Sequence, residues 1–191
     1  MKKRDYVVRV LSIAPLLCAI MLTVLFVTRP ELFRAWYTYA SMMATLGVLP
    51  VLAYPLQRFI PRFRDKGRKG QRMLAMIFAV AGYILCAIVL LILKGTNAEW
   101  VICLTYLISG GVIMLVNKVF KLHASGHGCG VVGPIPLLIF FHSYIAAILY
   151  AISAIFVCIS SVRSKRHSLP EFLGGASISV LTGIVLALIM L

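Results

Sequence analysis

Acid is what this chain has least of: 5 Asp+Glu stand against 19 Lys+Arg in 191 residues. The five, Asp5, Glu31, Asp65, Glu99 and Glu171, are scattered, and only Glu171 lies near histidines in the sequence. No carboxylate cluster is present to hold Mg²⁺. This excludes the CDP-alcohol and prenyl transferases that need several aspartates, and no metal or other cofactor is expected. Charge of either sign is sparse, at 13% of residues, too little to clothe a soluble domain. The cysteines at 18, 86, 103, 129 and 158 form no CxxC pair and lie within or at the ends of apolar segments, so free thiols are expected and no disulfide framework. The apolar segments also lack the embedded charges that would mark an ion path, which disfavours a small transporter. No internal repeat or low-complexity segment occurs.

What is abundant is apolar sequence: 62% of residues are hydrophobic and the mean hydropathy is +1.02. That composition predicts an all-α polytopic membrane helical bundle, a single integral membrane domain over 1–191 with about six to seven transmembrane helices. The expected spans are 10–28, 36–56, 73–93, 100–116, 128–142, 145–160 and 172–191. Met-Lys-Lys-Arg at the start imitates a signal peptide, but the apolar run 10–28 is longer than an h-region and no Ala-x-Ala closes it. Trp36 and Trp100 fall at span edges, as interfacial anchors do. Pro50 and Pro55 predict a kink or an early end in the second span.

Residues 131–159 pose the main topological choice. As one helix they would run about 43 Å, overshooting a hydrocarbon core of about 30 Å. Broken near Ser143 they make a hairpin of two short helices, and only the hairpin returns the chain to its starting side. Pro134, Pro136 and His142-Ser143-Tyr144 favour the hairpin, with His142 as a turn residue. With seven spans, sixteen of the 19 Lys+Arg then share one side and only Arg29, Arg34 and Lys94 the other. Omitting the five basic residues of the two motif loops leaves the bias at eleven to three. By the positive-inside rule the multi-pass chain sits in a cell membrane, plasma or inner, with its N-terminus and motif loops cytoplasmic. The same arrangement makes anionic lipid headgroups, not nucleic acid, the expected partners of the basic loops.

Two stretches carry chemistry. The first, 118–134, crowds Lys118, Lys121, His123, Ser125, His127 and four glycines between apolar runs. Lysines and a serine hydroxyl offer donors to an anion, and Gly126, Gly128 and Gly130 would leave backbone N–H groups open where a helix begins. His127 could then pass a proton to a departing oxygen. Gly126 and Gly130 equally make a small-xxx-small spacing for close helix packing. In the second stretch Arg163, His167 and Glu171 are spaced by four, so one continuous helix would put them on one face. There His167 could attack phosphorus, Glu171 hold its tautomer and Arg163 share the phosphate charge. Ser168 and Glu171 also spell a capping box with Pro170 in the first turn, which would start the last helix after His167.

Ser125-Gly126-His127, followed by Gly130 and Gly133-Pro134, and His167 with Glu171 together resemble the type-2 phosphatidic acid phosphatase superfamily. Leu49-Pro50 and Arg64-Asp65-Lys66-Gly67-Arg68 resemble further elements of a bacterial and archaeal branch, so the likeness runs from about Trp36 to the end. The resemblance implies a metal-independent phosphoric-ester hydrolase acting on a lipid phosphate. His167 would be the nucleophile forming a phosphohistidine, His127 the acid and Glu171 the orienter. Lys118, Lys121, Ser125, Gly126, Arg163 and Arg68 would bind phosphate. The family arginine falls on Ser161, and the nearest candidate, Arg163, comes two residues late. The alternative it leaves is a catalytically impaired member that binds anionic lipid or a partner.

Overall fold

The structure, a computed structural model, describes residues 13–120, 123–164 and 167–191. Among them every regular element is helical. Five helices are long and apolar enough to cross a membrane: Trp36–Phe59, Lys69–Leu93, Asn97–Val119, Tyr144–Arg163 and Leu169–Met190. Two further apolar helices, Ala14–Thr28 and Gly126–Phe140, are shorter, about 22 Å each at 1.5 Å per residue. Against the about six to seven transmembrane helices expected, the described residues hold five long enough to cross and two short ones.

We number the helices α1 (Ala14–Thr28), α2 (Trp36–Phe59), α3 (Pro61–Arg64), α4 (Gly67–Leu93), α5 (Asn97–Leu115), α6 (Gly126–Val132), α7 (Pro134–Phe140), α8 (Tyr144–Arg163) and α9 (Leu169–Met190). The short helix α1 contributes heavily to the core. Cys18, Met21, Leu22 and Leu25 of α1 are fully buried, a helical spacing that turns one continuous face into the core. In α8 the large side chains Ile145, Ile148, Leu149, Ile152, Phe156 and Ile159 face outward, while Ala147, Tyr150, Ala154, Val157 and Ser161 face inward. A bulky apolar outer face suits a helix bathed in lipid, and the small residues among the inner ones let the backbones approach.

The prolines of α2 neither end nor break it. The helix widens into a π turn over Met43–Val48, in which the Leu49 N–H reaches back to Ala44 C=O, and then continues through Pro55. The wide turn sits where Pro50 would otherwise press on the carbonyl four residues earlier.

Residues 131–159 are broken, as the hairpin requires. After α7 the His142 N–H donates to Ile139 C=O and the Ser143 N–H to Leu138 C=O, with His142 at φ 56. This is a Schellman stop with a histidine in the left-handed position. Lys94, at φ 53 with the Gly95 N–H donating to Leu90 C=O, stops α4 in the same way.

Hydrogen bonds between loops fix which ends share a side. Arg29 donates to Phe141 C=O at 2.8 Å, Arg34 to Lys94 C=O at 2.9 Å, Thr96 to Leu32 C=O at 2.6 Å and Asn97 to Met190 C=O at 3.0 Å. The turns at 29–35, 94–99 and 141–143 and the end of α9 thus form one end. Glu99 anchors it. Its fully buried carboxylate accepts from Thr96 N–H at 2.7 Å and Arg34 N–H at 3.2 Å, so the charge is spent on backbone donors that burial would otherwise orphan. Arg29 also pairs with Glu31 outside the spans and holds that carboxyl below its usual range.

Candidate functional site

At the opposite end α6 and α9 cross in contact. The Ser125 N–H donates to Glu171 C=O at 2.9 Å. A Cβ on Gly175 would lie 2.0 Å from Ser125 O, and one on Gly128 would lie 2.5 Å from Phe172 O. Glycine at both positions is what allows the two backbones to meet. On the far flank Gly130 faces Ala14, where a Cβ would come within 2.1 Å of the alanine methyl. Gly128 and Gly130 therefore serve helix packing, and Gly126, with open space around it, is the glycine that faces outward.

This crossing brings the start of α6 and the start of α9 to one corner. Ser125 caps α6, its Oγ accepting from Gly128 N–H at 3.2 Å, and is fully buried. Gly126 is exposed beside it and His127 half-buried. Of the two readings of Arg163, His167 and Glu171, one continuous helix or a cap at Ser168, the structure takes the second. α8 ends at Arg163, and Ser168 starts α9 with a capping box, so His167 stands outside both. Local capping wins over the four-residue spacing because Ser168 and Glu171 satisfy each other's backbone donors. The cap of α9 and the contact with His167 nonetheless share one oxygen of Glu171. Oε2 accepts from Ser168 N–H at 3.0 Å and lies 3.3 Å from His167 Nδ1. With Nδ1–H directed at the carboxylate, the lone pair of His167 resides on Nε2.

Matches to known proteins are absent. No family model, curated protein or solved structure matches this chain.

The remaining expected residues fall into two groups. Lys118 is exposed on the π turn Val116–Phe120 that ends α5, in the segment leading to Ser125. Asn117 beside it donates to Ala124 C=O at 2.9 Å and ties that segment down. Arg163 is exposed at the last position of α8, whereas Ser161 is buried. Two residues are about 200° of helix, so Arg163 points away from the face on which Ser161 lies. Arg68 is in the first turn of α4, with its side chain outside the described portion, and Lys121 lies outside the described residues. Among the described residues no group of three His, Cys, Asp or Glu stands where it could hold a metal ion.

His123, within the 118–134 stretch, stands two residues before Ser125, whose N–H is bonded to Glu171 C=O. Glu99 is a buried structural carboxylate, for which Thr96-x-x-Glu99, a second capping box, was the available signal.

Proposed function

We propose that this chain is a metal-independent membrane phosphatase acting on a phosphomonoester or diphosphate of a phosphatidate-like or isoprenyl lipid. The observation that carries the reading is the crossing of α6 and α9, which joins Ser125-Gly126-His127 and His167-Glu171 at one end of the bundle through the Ser125–Glu171 backbone bond. His167 Nε2 attacks phosphorus while Glu171 holds the ring through Nδ1. The P–O bond to the lipid breaks, and the leaving oxygen takes a proton from His127. Water then gives a proton back to His127 and attacks the phosphohistidine, releasing inorganic phosphate and returning the P–N electron pair to Nε2. Lys118, Lys121, Gly126, Arg163 and Arg68 are the candidate contacts to phosphate. Ser125 Oγ is engaged by Gly128 N–H, so its contribution is to shape the turn that presents Gly126 and His127.

Purified protein should release inorganic phosphate from a short-chain phosphatidate with chelator present. The second reading, an impaired member that binds anionic lipid, is favoured by one observation, the outward course of Arg163 beside the buried Ser161. Lipid-phosphate binding without phosphate release would select it.

The two short helices would complete a seven-span topology, with the lengths of α1 and α6–α7 recessing the site below the headgroups. Sixteen of the 19 Lys+Arg then lie on the motif side, which makes that side cytoplasmic in a plasma or inner membrane. In a cysteine-free background, a cysteine at Lys69 or Ser164 should resist an impermeant thiol reagent in intact cells while one at Asn97 reacts. The reverse pattern would move the site to the outer face.

A further inference from the structure

Besides His167, whose Nδ1 lies 3.3 Å from Glu171 Oε2, the segment before α6 brings a second imidazole to this corner: His123, two residues before Ser125, whose N–H is bonded to Glu171 C=O. His123 takes the left-handed backbone conformation at φ 53, which a residue with a Cβ adopts at a cost of roughly 1 kcal/mol. The chain on both sides holds it there. Asn117 Nδ2 donates to Ala124 C=O, and the Ser125 N–H donates to Glu171 C=O, both at 2.9 Å. The side chain of His123 is exposed, two residues before the buried Ser125. It thus stands at the mouth of the α6–α9 corner on the side of Glu171. Across that corner α8 contributes no cation on its inner face, because Ser161 occupies it and Arg163 is turned outward.

We propose that His123 is a phosphate-binding residue of this site, its ring N–H donating to a non-bridging phosphate oxygen where the inner face of α8 supplies no arginine. The assignment rests on the phosphatase reading and adds to it a third histidine with a role in binding, not in bond breaking. Its position two residues from the cap of α6 also explains why a strained conformation is held by bonds on both flanks: the ring is fixed relative to Gly126 and His127.

The test uses the full-length protein in detergent, with inorganic phosphate as the binding probe and phosphate release from a short-chain phosphatidate as the activity. His123→Gly keeps the left-handed backbone and removes the donor. His123→Lys restores a cationic donor, and Lys94 shows that a lysine takes the same φ in this chain. His123→Gly is expected to weaken phosphate binding and raise KM by about tenfold, the loss of one charge-assisted hydrogen bond. It should leave kcat nearly unchanged and the unfolding midpoint at the wild-type value, and His123→Lys should recover most of the binding. Wild-type binding in His123→Gly overturns the proposal. So does a His123→Lys variant as weak as His123→Gly, since that pattern means a structural role. Wild-type protein that binds phosphate through His123 but releases none keeps this assignment and removes the catalytic reading. Wild-type protein that neither binds nor releases phosphate removes both.

Discussion

His167→Ala reduces phosphate release to background, a fall of about a thousandfold or more, without lowering the unfolding midpoint. The side chain is part-exposed and stands outside α8 and α9, so removing it opens no cavity. Ser168 N–H keeps its bond to Glu171 Oε2, so the cap of α9 survives. The loss is therefore chemical, since the ring removed is the one whose Nδ1 lies 3.3 Å from Glu171 Oε2. His127→Ala behaves differently. Its cost of about a hundredfold or more falls on substrates with poor leaving groups, and an aryl phosphate, whose leaving oxygen needs no proton, recovers most of the rate. Equal losses on both substrates would take the acid role away from His127. Normal turnover in His167→Ala would remove the nucleophile.

Gly175→Ala should cost nearly as much activity by another route. The new methyl carbon would lie 2.0 Å from Ser125 O, so α6 must move off α9 and the Ser125–Glu171 bond must open. Overpacking of this kind costs about 1–3 kcal/mol, and here it also separates His127 from His167. One position earlier the same change is harmless, because a Cβ on Gly174 meets nothing within 4 Å. In a helix, Gly→Ala alone stabilises slightly. The pair is thus expected to differ in sign: Gly174→Ala raises or keeps the thermal midpoint and activity, and Gly175→Ala lowers both. A Gly175→Ala variant that behaves like Gly174→Ala would mean that the α6–α9 crossing does not assemble the site.

The hairpin at 141–143 was legible because length against bilayer thickness forbids one helix, and because polar residues mark the break. The capping box at Ser168 was legible from spacing alone. Capping is local, so residue types three apart suffice to announce it. The continuous helix through 163–171 failed for the same reason, since the local cap at Ser168 outcompetes a pattern that needs the helix to persist. Contacts made at a distance left no trace. Ser125 looks like an exposed anion ligand until Gly175, fifty positions on, packs against its backbone and buries it. Glu99 looks like a loop acid until Arg34 N–H supplies its second donor. Pro50 looks like a helix breaker because a π turn is invisible to a helical periodicity count. Arg163 shows how little a shift need be: two residues along α8 exchange the inner face for the outer one.

If two loops distant in sequence make one phosphoryl-transfer site with His167 as nucleophile, rapid quenching of the purified protein during turnover of a ³²P-labelled lipid phosphate, with chelator present, should trap label on the protein through an acid-labile, alkali-stable bond. The label is expected to map to His167 and to be absent from His167→Ala. Phosphate release with no such adduct, or an adduct that persists in His167→Ala, would rule His167 out as the nucleophile.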